Sequence, residues 1–132
     1  MKTKKDFEKL ITDYPNLFKG QPRCGIYVSP GWFNLVDRLC SELEHHIQQL
    51  PEELRNDCFC TQIKEKFGGL RFYVNHSTPF MDGAIALAEC MSYSICEECG
   101  NPGTRRMGGY IQSLCNKHFK AREKRKQNES NK

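Results

Sequence analysis

The chain has 132 residues, 38% of them hydrophobic and 27% charged, with a formal net charge of +4. That length suits one domain with a modest core, of the kind a metal staple helps to hold. No run approaches the roughly 18 apolar residues that span a bilayer, and no apolar leader core follows Met1-Lys2-Thr3-Lys4-Lys5-Asp6, so a cytoplasmic protein is expected.

Phe7, Leu10, Ile11 and Tyr14 recur at helical spacing and predict an amphipathic helix from about Thr3 to Tyr14, stopped by Pro15. Gly20, Pro22 and Gly25 make a loop, and Ile26-Tyr27-Val28 is at most a short strand. Ser29-Pro30-Gly31 then opens the longest helix, residues 30–50, whose apolar stripe runs through Trp32, Leu35, Val36, Leu39, Leu43, Ile47 and Leu50. From Cys58 the period falls to two, predicting a strand to Lys66, a turn at Gly68-Gly69 and a return strand Leu70–Val74. Leu70, Phe72 and Val74 should share one face and Arg71 and Tyr73 the other. An alanine-rich helix follows from about Phe80 to Ser94 and runs without a linker into the cysteine-rich end.

There Cys96-Glu-Glu-Cys99 and Cys115-Asn-Lys-His118 are separated by fifteen residues. Each pair can chelate from one tight turn. Together they supply four sulfur or nitrogen donors, the full tetrahedral shell of a structural zinc with no place left for water. Gly100 suits the knuckle, Asn101-Pro102-Gly103 and Gly108-Gly109 suit a small hairpin, and Tyr110–Leu114 would be its return strand. A final helix should run from Asn116 to about Lys126. Knuckle, hairpin and ligand-bearing helix in that order are a treble-clef layout. The expected fold is therefore α+β: a body over residues 1–94 with helices on a small antiparallel hairpin or sheet, a zinc finger over 95–121 docked on it, and a basic, disordered tail over 122–132.

Four further cysteines, Cys24, Cys40, Cys58 and Cys60, carry no ligand spacing. They read as buried thiols or, with His45 or His46, as part of a second metal site. In the hairpin, Lys64, Lys66, Arg71 and Tyr73 could gather beside free Gly68 and Gly69 amides to take a phosphate, nucleotide or other anion; the alternative is a solvated strand face. Trp32 at a helix start is a stacking platform for such a ligand or a core residue. Residues 104–132 hold nine Lys/Arg against Glu123 and Glu129, a net +7, while the preceding residues hold eleven against fourteen Asp/Glu, a net −3. Arg105, Arg106, Lys120, Arg122, Lys124 and Arg125 thus form a nucleic-acid-binding set, or else a solvated helix end. His45, His46 and His76 are the only candidate bases, and residues 100–114 contain no histidine with which a finger could do nuclease chemistry.

Three segments carry a resemblance: Gly31-Trp32-Phe33-Asn34-Leu35-Val36-Asp37-Arg38-Leu39-Cys40, then Ile63-Lys64-Glu65-Lys66-Phe67-Gly68-Gly69-Leu70-Arg71-Phe72-Tyr73, then Cys96–Gly103. In that order, over about residues 24–120, they resemble a family of small proteins encoded by phages and prophages. The resemblance implies an accessory protein of the host-cell cytoplasm that works by binding. Such a protein blocks a host defence component, contacts nucleic acid or sequesters a nucleotide signal. It transfers no catalytic residue. A nucleotide-processing enzyme is the remaining alternative, and a homodimer is compatible with all of these readings.

Overall fold

The structure is a computed structural model and describes residues 2–130. Helices and short strands alternate in an α+β architecture. Helix α1 (Lys4–Asp13) starts at Thr3, whose backbone N–H donates to Asp6 Oδ2 at 2.7 Å, and it turns Phe7 and Leu10 inward. Strand β1 is Gly25–Tyr27. A 3-10 turn over Pro30–Trp32 precedes α2 (Phe33–Gln48), and α3 (Glu52–Arg55) is one turn after Pro51 that apolar periodicity does not signal. Strands β2 (Phe59–Lys66) and β3 (Gly69–Asn75) lead to α4 (Pro79–Ser92). Pro79 takes the first helical position, and the Thr78 hydroxyl accepts from the Met81 N–H. Strands β4 (Thr104–Arg106) and β5 (Gln112–Leu114) and helix α5 (Asn116–Ser130) complete the chain.

The larger sheet has the order β1-β2-β3, with β1 parallel and β3 antiparallel to the central β2. The parallel pair is joined through α2, since parallel neighbours need a long crossover. The hairpin closes on Phe67-Gly68, one residue earlier than the glycine pair suggests: Lys66 already pairs with Gly69. Both loop residues have positive φ, 55° and 79°, the mirror-image turn whose twist matches the strands. Thr61 is a bulge between the Cys60–Val74 and Gln62–Tyr73 pairs. It resets the alternation, so that Cys60 and Ile63 both face the core. Leu70 and Phe72 join them there, while Arg71 and Tyr73 take the outer face as alternation requires.

The core lies between the inner sheet face and α1, α2 and α4, with Leu10, Val36, Leu43, Ile47, Ile63, Leu70 and Met81 at its centre. Trp32 belongs to it at 0% exposure, and its indole N–H donates to Ile95 O at 3.0 Å. It ties the start of α2 to the segment before Cys96 and offers no face to a ligand. Glu44 sits on the buried side of α2 and holds the turn after α1 there. Its carboxylate accepts from Leu17 N–H at 2.9 Å, Asn16 Nδ2 at 2.7 Å and Gln48 Nε2 at 3.1 Å. Glu44→Ala leaves the buried Leu17 N–H unpaired and is expected to cost about 2 kcal/mol in denaturant unfolding.

Helix α5 corrects the expected end of the chain. It continues through Ser130, past Lys126 and through most of the segment expected to be disordered; residues 131 and 132 of that segment lie outside the described ones. Arg122 is 7% exposed and donates to Tyr110 O at 2.7 Å and Gln112 Oε1 at 3.0 Å. It fastens the helix to the strand before it.

Candidate functional site

The knuckle and the start of α5 bring Cys96, Cys99, Cys115 and His118 together, with all four donor atoms within 4.8 Å of one another. His118 Nδ1 lies 3.2 Å from Cys115 Sγ and 3.6 Å from Cys96 Sγ, and Cys99 Sγ lies 3.9 Å from Cys115 Sγ. Two sulfurs bound tetrahedrally at about 2.3 Å from one zinc stand about 3.8 Å apart. The spacing and the donor set therefore fit a metal ion such as zinc. Backbone hydrogen bonds shape the knuckle: Gly100 N–H donates to Cys96 O, and Cys96 N–H to Asn101 O. Gly100 takes φ +81°, a conformation that glycine adopts freely. The Cys115 thiol is lowered to about 6, first by the His118 backbone N–H, which favours the thiolate that a metal requires. Burial pushes the Cys96 thiol the other way.

This group is packed against the body. Gly31 N–H donates to Glu97 O at 2.7 Å, Arg105 Nε to Phe67 O at 2.8 Å and the Ser113 hydroxyl to Gly68 O at 2.6 Å. The turn of the large hairpin thus rests on β4 and β5. Glu97, buried against β5, accepts from Ser113 N–H at 2.6 Å, and burial pushes its carboxyl up to about 7.

The remaining cysteines do not assemble a second metal site among the described residues. Cys24 and Cys60 are buried with their sulfurs 3.4 Å apart, and Cys40 is buried nearby with its thiol pushed well up by desolvation. Cys58 instead donates to His76 O. His45 pairs with Gln49, and His46 bonds Thr78 and stacks on Phe80, so neither joins a cysteine. The eighth cysteine, Cys90, which the spacing argument passes over, is exposed on α4.

The hairpin cations share a face but not the pocket expected of them. Lys64 pairs across the strands with Arg71, and Gln62 with Tyr73, so Lys64, Lys66, Arg71 and Tyr73 all lie on the outer side. Arg71 is taken by Glu89 of α4 at 2.7 Å. The Gly68 amide donates to Glu65 Oε2, and the Tyr93 ring covers Gly69, leaving neither glycine as an open anion cradle. Tyr27, not singled out by the sequence, joins the same face through its pairing with Lys64. Its ring folds over Gly25, where a β-carbon would meet it at 2.5 Å and have to push it aside.

Three arginines of the nucleic-acid set are structural. Arg105 holds Phe67 O with its guanidinium over the Tyr93 ring. Arg106 bonds Leu114 O and Asn116 beneath its contact with Phe119, and Arg122 is buried. Lys120, Lys124 and Arg125 stay exposed on α5, together with Lys117. No helix among the described residues is long and apolar enough to cross a membrane. No family model, curated protein or solved structure matches the chain.

Proposed function

We propose that the chain is a non-enzymatic binding protein, stapled by one structural zinc in a treble-clef-like finger, that takes a nucleotide-type anion on the outer face of its three-stranded sheet. The observation that carries this reading is the composition of that face. It leaves Tyr27 66% and Tyr73 43% exposed, Tyr27 across from Lys64 and Tyr73 across from Gln62, with Lys66 further along the same strand face. Neither lysine has an ion-pair partner among the described residues. Aromatic rings next to free ammonium groups suit a ligand that is planar at one end and anionic at the other. The zinc has a closed shell and serves stability: it keeps β4 and β5 under the hairpin turn and so fixes the strands that present the face. In the phage setting implied by the sequence resemblance, such a protein sequesters a host nucleotide signal or blocks the defence component that uses it.

The test is calorimetry of zinc-loaded protein with nucleoside triphosphates and short oligonucleotides. Lys64→Glu with Lys66→Glu is expected to weaken binding about ten-fold or more, with the melting temperature unchanged. Arg71 is left in place because its removal would free Glu89. Unchanged affinity in the folded double variant rejects the site.

A second reading rests on α5. Lys117, Lys120 and Lys124 follow one another at three- and four-residue spacing, so they form one exposed stripe without a carboxylate in it. This is a candidate nucleic-acid contact that keeps Lys120 and Lys124 of the expected set and adds Lys117. The same double variant separates the two readings, because affinity for oligonucleotides that survives it belongs to α5.

A further inference from the structure

Helices α2 and α4 leave between them a groove of about 400 Å³, floored by Leu35, Leu39, Ala84, Ala88, Met91 and Ile95. Leu87, at its edge, is 62% exposed, and Met91 is 47% exposed. Outward-facing Gly83, Leu87 and Cys90 continue the uncharged surface along α4. A modest chain has little reason to leave so much apolar helix in water, and a contiguous apolar groove of this kind marks an interface.

The α2 rim of the groove identifies what covers it. Arg38 and Glu42 line that rim, both exposed, and neither has an ion-pair or side-chain hydrogen-bond partner among the described residues. They stand one turn apart on the same helix, about 6 Å along its axis. A surface with one positive and one negative group at that separation is complementary to itself under a two-fold rotation. Two copies of α2 crossing antiparallel, with the axis between residues 38 and 42, place each Arg38 against the other copy's Glu42. An isologous interface needs this self-complementarity, and an unrelated partner would have no reason to meet it.

We propose that the chain forms a two-fold homodimer through the α2/α4 face, in which Leu87 and Met91 of each copy cover the groove of the other and two reciprocal Arg38–Glu42 pairs set the register. The apolar contact supplies the attraction, and the charge pairs choose the antiparallel arrangement. The sheet face lies on other elements and stays open in this dimer. Failure of the dimer therefore leaves the ligand reading untouched, and failure of the ligand reading leaves the dimer untouched.

Sedimentation equilibrium of the full, zinc-loaded chain tests the proposal, with circular dichroism to check that each variant folds. Wild type is expected to be a dimer at about 100 µM, a concentration at which even a weak specific interface is populated. Leu87→Asp, an exposed position that the fold does not need, is expected to give a monomer. Arg38→Glu alone, or Glu42→Arg alone, sets like charges opposite each other and should weaken the dimer about ten-fold. The combined Arg38→Glu/Glu42→Arg variant restores opposite charges across the axis and should recover most of that loss. A wild type that is monomeric throughout overturns the proposal and leaves the groove to a different partner. So does a dimer that is indifferent to Leu87→Asp, or single reversals that the combined variant fails to rescue.

Discussion

Stripping the metal from purified protein with a chelator is expected to lower the melting temperature by about 10–20 °C and to release one zinc ion per chain. The segment from Cys96 to Cys115 has little to hold it otherwise. Its two strands are three residues each, and Leu114 is its one large fully buried side chain. Without the ion, four donors packed within 4.8 Å of one another lose their common partner. The loss should spread beyond the finger, because Ser113 and Arg105 hold the hairpin turn and Trp32 is tied to Ile95 O. Hydrogen exchange should therefore quicken first in residues 95–118 and then at Phe67-Gly68, while α2 and the centre of β2 stay protected longest. Acid should act in the same direction as the chelator, since thiolates and a neutral imidazole must be protonated to let the ion go. A metal-free protein that melts at the same temperature would contradict a structural role.

Gly31→Ala is expected to destabilise the metal-loaded protein by about 3 kcal/mol or more. A β-carbon built at Gly31 falls 2.1 Å from Cys96 O and 2.5 Å from Glu97 O, both backbone atoms that cannot swing aside. The Gly31 N–H also donates to Glu97 O, so the shift that relieves the clash lengthens that bond as well. The glycine therefore serves a close approach between the start of α2 and the first metal knuckle. Urea unfolding of the variant, with zinc content measured alongside, checks this. Wild-type stability in the variant would mean that the finger does not dock on α2 as described.

The clustering of Cys96, Cys99, Cys115 and His118 was legible because two short-range pairs carry the whole signal in local spacing, with no tertiary information needed. The long helix and the alternation of β3 were legible for a similar reason, each being one uninterrupted period. What the sequence hid depended on partners distant in the chain. The turn reads one residue late because Phe67 adopts a left-handed conformation that is usual for glycine or asparagine. The bulge at Thr61 is visible only through its partner strand. Glu44 looks like a surface charge until the turn around Leu17 turns its amide toward it. Charge counting likewise could not separate Arg122, buried against Tyr110 and Gln112, from Lys124, which is free in water. For the same reason the exposed outer sheet face needed the parallel β1 to bring Tyr27 beside Lys64.

The most direct test of the ligand reading is a two-dimensional NMR titration of the zinc-loaded protein with a nucleoside triphosphate. The account predicts amide shifts concentrated at Tyr27, Gln62, Lys64, Lys66 and Tyr73, saturating together. Shifts confined to Lys117, Lys120 and Lys124 on α5, or none anywhere, would contradict it.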